Sequence, residues 1–224
     1  MKNQNKRNFV ISALFIAAFV LWTFTVSYVD VRPIGPNGSS VGLAAFNSFF
    51  RDQIGVNMTL YTVTDWLGLV PVAFAFSFAI IGLVQLIKRK KLSLVDEEII
   101  ILGIFFIAVI AVYFLFELIV INHRPVLIDG VLEASYPSST TVLAVCVMPA
   151  SIITINQSVK NRKLRFLVVI PIAAFTAFMV FGRLASGVHW ISDIIGGLLL
   201  SAGLDTAFCS VIALYRHSIR SSEN

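Results

Sequence analysis

Six apolar runs, at approximately 9–28, 60–87, 98–121, 138–156, 166–183 and 189–214, constrain this chain before any motif is read. A helix crossing the hydrocarbon core of a bilayer needs roughly 20 predominantly apolar residues. No water is present there to pair backbone N–H and C=O groups, so each run must pair its own and is predicted to be helical. The residues are 58% hydrophobic and 13% charged, a balance that excludes an ordinary water-soluble domain. The expected fold is all-α: an integral membrane bundle of six transmembrane helices forming one domain over residues 1–224. The first run follows Lys2, Lys6 and Arg7, as a signal peptide would. It is too long for a typical signal core and Thr23–Asp30 lacks a small-x-small cleavage pattern, so it is read as an anchor.

Charge placement orients the bundle. In the six-span reading, Lys2, Lys6, Arg7, Lys88, Arg89, Lys90, Lys91, Lys160, Arg162, Lys163, Arg165, Arg216 and Arg220 share one side. Arg32, Arg51, Arg124 and Arg183 lie opposite. By the positive-inside rule both termini are cytoplasmic and these four arginines face outward. The formal net charge of +5 is then mainly topogenic, with some attraction to anionic lipid. Its scatter through short loops gives no patch for nucleic acid. A bacterial-type plasma membrane is the expected location.

Cys146 and Cys209 both fall inside apolar runs and offer neither a disulfide framework nor a metal-ligand spacing. No metal and no cofactor is expected. Trp22, Trp66 and Trp190 lie near run boundaries and read as belt residues. The longest connection, about Val29–Thr59, opens on a turn-rich segment. It then mixes Val41, Leu43, Ala44, Phe46, Phe49 and Phe50 with Asn47, Arg51 and Asp52. That pattern predicts a short amphipathic helix on the outer leaflet, either an anchor or a cover over a lateral entry for lipid. Residues 1–59 are thus one anchor plus an extracytoplasmic loop.

Three polar segments converge on the outward face in this topology. They are Glu117 through His123-Arg124-Pro125, Tyr136-Pro137-Ser138-Ser139-Thr140-Thr141, and Arg183 through His189 to Asp193. Ionisable residues at a membrane boundary are costly and mark a functional site by default. His189 and Asp193 share one face if the last run is helical from its start, so the carboxylate can fix the imidazole tautomer. Arg124 and Arg183 are planar cations suited to phosphate oxygens. Ser138 and Ser139 after Pro137 suggest a helix start, whose free N–H groups and dipole favour an anion. Together these outline a basket for a phosphoryl group with a nucleophile beneath it.

These residues resemble the type 2 phosphatidic acid phosphatase family, membrane relatives of the vanadium haloperoxidases, over about residues 60–215. The family motifs are K-x6-R-P, P-S-G-H and S-R-x5-H-x3-D. Arg183, His189 and Asp193 match the third at full spacing, with Gly182 in place of its Ser; Arg124-Pro125 end the first; Pro137-Ser138 begin the second. The resemblance implies that His189 forms a phosphohistidine, Asp193 orients it, and Arg124 and Arg183 bind phosphate. Two departures stand at the other end of the site: Glu117 replaces the Lys, and Ser139-Thr140 replace Gly-His. The missing His is the family's leaving-group acid, a role typically worth about 10²–10⁴-fold. Glu117 or His123 could supply that proton, or a lipid diphosphate could do without it. Glu117 could equally be the salt-bridge partner of Arg124 or Arg183.

The implied activity is metal-independent removal of phosphate from a membrane lipid phosphate or diphosphate, of the phosphatidylglycerophosphate, phosphatidic acid or undecaprenyl diphosphate type. Two alternatives are a phosphotransferase using the same intermediate and a non-catalytic lipid-phosphate binder or translocator.

Overall fold

The computed structural model describes residues 2–158 and 161–222, with side chains over 7–155 and 161–218. Lys2, Lys6, Lys160 and Arg220, part of the predicted basic face, have side chains outside that range. Among the described residues eight α-helices follow in order: α1 (Lys2–Tyr28), α2 (Ala44–Ile54), α3 (Met58–Leu67), α4 (Leu69–Arg89), α5 (Glu97–Leu118), α6 (Ser139–Ser158), α7 (Arg162–Ala185) and α8 (Ile191–Ser222). Among the described residues β-pairing is confined to isolated bridges. Among the described residues five helical stretches are long and apolar enough to cross a membrane: Arg7–Tyr28, Met58–Arg89, Glu97–Leu118, Arg162–Ala185 and Ile191–Ser218. The apolar part of α6, Ser139–Ile155, is shorter. The protein is an integral membrane protein.

The second predicted run is one span interrupted at Gly68. Pro71 has no N–H to give Leu67, the residue four positions back, so the ladder lapses there. Gly68 keeps helical angles, and its N–H bonds the carbonyls of Thr64 and Asp65 at 3.0 Å each. The start of α3 is fixed by Asn57, whose Oδ1 accepts the Leu60 N–H at 2.9 Å, a cap typically worth about 1 kcal/mol.

Helix α8 is the axis on which the site is built. Its longest partner is α1, where Ser12 Oγ donates to the Gly203 carbonyl at 2.7 Å, an interhelical bond of the kind that substitutes for hydrophobic drive in lipid. Phe105 of α5 meets Phe208 of α8 with ring centres 4.7 Å apart. Tyr136, just before α6, is buried and shares a hydrogen bond with Thr23 of α1 at 2.7 Å. These contacts hold the ends of α5, α6 and α8 together beneath the connection 119–138.

The predicted amphipathic helix is α2, and it is bound more firmly than a surface anchor. Phe49 is exposed, but Asn47 is buried. Its amide donates to the Gly42 carbonyl at 2.8 Å and to Ser192 Oγ at 2.9 Å, while its Oδ1 accepts the Ser192 N–H at 3.2 Å. Arg51 donates to the Pro125 carbonyl at 3.1 Å and stacks 5.6 Å from the Trp190 ring. Helix α2 therefore clamps the first turn of α8 to the connection that carries Arg124. Trp190 is a correction to the belt reading: it is 1% exposed and its indole N–H donates to the His123 carbonyl at 2.7 Å. Trp22 is likewise tied inward, to the Ser192 carbonyl at 3.0 Å; Trp66 is exposed.

Candidate active site

The connection from α5 to α6 doubles back on itself. Asp129 and Gly130 both have positive φ, and Ile128 and Val131 exchange backbone hydrogen bonds at 3.0 and 2.8 Å across them. An Asp-Gly pair favours such a two-residue turn because both central residues need left-handed angles. The pairing continues through Arg124 N–H to the Glu133 carbonyl at 3.0 Å and Ser135 N–H to the Asn122 carbonyl at 2.9 Å. It sets Glu133 beside Arg124, with Nε and Oε2 2.9 Å apart.

Arg124 Nη1 then lies 3.1 Å from His189 Nε2. A guanidinium only donates, so Nε2 is the acceptor and the imidazole proton sits on Nδ1. Nδ1 lies 3.6 Å from Asp193 Oδ2, outside hydrogen-bond range, with the Ser135 backbone also beside it. His189 precedes α8 instead of lying within it, so the pair spans the entry to the helix and not a helical turn as expected. Asp193 secures that entry: Oδ2 accepts the Trp190 N–H at 3.0 Å, and Oδ1 faces Ser192 Oγ at 3.4 Å and Asn122 Nδ2 at 3.5 Å. Burial, with Arg124 and then Arg183 nearby, holds the His189 imidazole well below its ordinary pKa, so it stays neutral under mildly acidic conditions.

Arg183, at the end of α7, is 1% exposed. Its Nη2 donates to Thr140 Oγ1 at 2.7 Å and to Asp65 Oδ1 at 3.1 Å, and its Nη1 faces Thr64 Oγ1 at 3.4 Å. Tyr61 stands against both arginines, 5.0 Å from the Arg183 guanidinium and 5.8 Å from that of Arg124. Thr140, where the family pattern has His, is thus a holder of Arg183. Gly182 also acquires a reason. A Cβ there would meet Thr64 Cγ2 at 2.7 Å, so glycine lets α3 approach α7 closely enough to set Thr64 and Asp65 on Arg183. Gly182→Ser is expected to destabilise the purified protein by about 1–3 kcal/mol, the usual range for overpacking, and to lower activity as α3 is displaced. Thermal unfolding in detergent checks this; an unchanged transition would contradict it.

Arg124 and Arg183 both line a cavity of about 680 Å³ that also reaches Asp65, Glu117, His123, Glu133, Ser139 and Thr140. His189 lines an adjoining recess of about 20 Å³ with Tyr113, Glu117, Ser135 and Ser139, the room of about one water. Glu117 is exposed to both spaces. The arginines take Glu133 and Asp65 as ion partners, so Glu117 is the salt-bridge partner of neither. Ser138 lies behind the wall: its N–H bonds the Asp193 carbonyl at 3.1 Å and its Oγ accepts from Thr141 at 3.0 Å. Tyr61, Thr64 and Asp65 were not anticipated. Their signal was a polar stripe at i, i+3 and i+4 on one face of an apolar run.

Residues 119–217 match the family model described as PAP2 superfamily. They include Arg124, His189 and Asp193, the groups just placed together, and Arg183 beside them. No curated protein matches the chain. Among solved structures the chain is similar to a transmembrane PAP2 type phosphatidylglycerolphosphate phosphatase from Bacillus subtilis, at 18% identity and a TM-score of 0.48, covering 76% of this chain and 94% of that one.

Proposed function

We propose that this PAP2 chain is a membrane phosphatase that removes phosphate from a lipid phosphate or lipid diphosphate through a phosphohistidine at His189. The observation that carries the reading is Arg124 Nη1 at 3.1 Å from His189 Nε2, with Asp193 Oδ2 3.6 Å from the other ring nitrogen. An unprotonated ring nitrogen beside a guanidinium, at the edge of a cavity lined by a second arginine, suits attack on a bound phosphoryl group. As substrate enters, Arg124 exchanges Nε2 for a phosphate oxygen, and Arg183 with the start of α6 at Ser139 takes others. The Nε2 lone pair attacks phosphorus while the bond to the leaving oxygen breaks with its electrons. Water then attacks phosphorus, and the N–P electrons return to Nε2. Asp193 supports the cationic ring between the two steps.

The same reading assigns six membrane spans as one domain, with both termini cytoplasmic and the cavity extracytoplasmic in a bacterial-type plasma membrane. Its support is the positive-inside pattern. Substrates of the phosphatidylglycerophosphate, phosphatidic acid or undecaprenyl diphosphate type all present the required group.

Glu117 is assigned as the acid for the leaving oxygen, ahead of His123, because it lines both the cavity and the recess beside His189. Glu117→Gln is expected to lower phosphomonoester turnover by about 10²-fold, within the usual range for general acid catalysis, and to affect diphosphate turnover much less. Equal losses on both would remove the assignment. The test of the reaction itself is phosphate release by purified protein from a panel of lipid monophosphates and diphosphates. Added lipid or sugar alcohols in the same assay would reveal transfer in place of hydrolysis. Binding without any release would favour a lipid-phosphate binder or translocator.

A further inference from the structure

Two asparagines outside the family motifs stand behind His189 and Asp193. Asn47 and Asn122 are 1% and 0% exposed, so their amides must find partners inside the protein. Both use the backbone of one residue, Gly42. Its N–H donates to Asn122 Oδ1 at 3.0 Å, and its carbonyl accepts from Asn47 Nδ2 at 2.8 Å. An N–H only donates and a carbonyl only accepts, so Gly42 fixes which way round each side-chain amide lies. Gly42 itself sits hard against α1: a Cβ there would meet the Val26 carbonyl oxygen at 1.5 Å.

The consequence falls on Asp193, which is fully buried. With its oxygen turned to Gly42, Asn122 presents Nδ2 to Asp193 Oδ1 at 3.5 Å. With its amide turned to Gly42, Asn47 also donates to Ser192 Oγ at 2.9 Å, and its Oδ1 takes the Ser192 N–H at 3.2 Å. The Ser192 oxygen is thereby engaged as an acceptor, and its own proton is left for Asp193 Oδ1, 3.4 Å away. Both approaches to Oδ1 are long, as catalytic contacts commonly are before substrate binds.

We propose that Asn122 and, through Ser192, Asn47 are positioning residues that aim two donors at Asp193 Oδ1, and that Gly42 sets their sense. This role presupposes that His189 and Asp193 are the reacting pair. Donors on Oδ1 hold the carboxylate charged and keep Oδ2 facing the His189 ring as the ring becomes cationic. The long connection before α2 lies outside the residues 119–217 that match the family model, yet it becomes part of the catalytic apparatus.

The test uses the full-length protein and the lipid phosphate panel above. Asn122→Asp is isosteric: it keeps an oxygen for the Gly42 N–H and replaces the donor facing Asp193 with a second oxygen. Its kcat per folded protein is expected to fall at least about tenfold, the scale of one hydrogen bond to a charged group. KM should change little, because Arg124 and Arg183 hold the phosphate. Ser192→Ala removes the other donor and serves if Asn122→Asp fails to fold; it is expected to lower kcat several-fold with KM again spared. Asn47→Asp added to Ser192→Ala should cost little more kcat than Ser192→Ala alone, since Asn47 acts through that hydroxyl. Asn161→Ala, which removes the cap of α7 at the end away from the site, is the control, expected to lower thermal stability and leave kcat unchanged. Unchanged kcat in Asn122→Asp and Ser192→Ala, or losses carried equally by KM, would overturn the proposal. Multiplicative losses in the double variant would overturn the role of Asn47. Absence of His189-dependent release in the wild type would overturn the phosphatase reading instead.

Discussion

His189→Ala is expected to reduce phosphate release from every lipid substrate by at least about 10³-fold, because removing a nucleophile leaves only the contribution of binding. The loss should fall on kcat, while binding of lipid phosphate persists through Arg124 and Arg183. The wild-type rate has a matching pH signature. The neutral imidazole is the nucleophile, and burial holds its pKa well below the ordinary histidine value of about 6.5. Activity governed by this group should therefore hold as pH falls through 6.5 and decline only below it. An acid limb centred at or above 6.5 would contradict that assignment. Full activity in His189→Ala would remove the mechanism altogether.

Arg183→Ala carries the second large effect. Each hydrogen bond from a charged donor to phosphate contributes about 1.5–3 kcal/mol, and one guanidinium can make two. A loss of about 10²–10⁴-fold in kcat/KM is expected, shared between KM and kcat. Arg183→Lys should recover only part, since an ammonium cannot reproduce the planar fork whose Nη2 holds Thr140 and Asp65 while Nη1 faces Thr64. Recovery of full activity by the lysine variant would show that a point charge suffices and that the fork geometry is immaterial. Steady-state kinetics on the three proteins decides this.

Much of this site was legible because its chemistry is local in sequence. Arg183, His189 and Asp193 occupy one short segment, and their spacing carries the functional reading without any knowledge of packing. The apolar runs gave the helices for the same reason: a bilayer leaves the backbone one choice. What escaped was set by contacts between segments. Asp65 and Thr64 reach Arg183 across 118 and 119 positions of sequence, and that contact depends on Gly182 having no side chain. Glu133 meets Arg124 because an Asp-Gly turn folds the connection back, a signal present at Asp129-Gly130 and not used. Once Asp65 and Glu133 are in place as the ion partners of the arginines, Glu117 is left facing the cavity, the position from which it is proposed to act on the leaving group. The break at Gly68 also depended on a residue outside it, Pro71. Trp190 was misread as a belt residue because its position near a run boundary says nothing of the backbone carbonyl of His123 that its indole meets.

The central claim is the covalent bond between phosphorus and His189 Nε2, and acid quenching tests it most directly. Wild-type protein would be mixed with lipid diphosphate labelled on its terminal phosphorus, quenched within the first turnover, and mapped by peptide mass analysis under alkaline conditions that preserve phosphohistidine. The expected result is label on the peptide carrying His189, present in wild type, absent in His189→Ala, and chased by water on longer incubation. Label on another residue, or product formed in the first turnover with no labelled protein at any time, would contradict it.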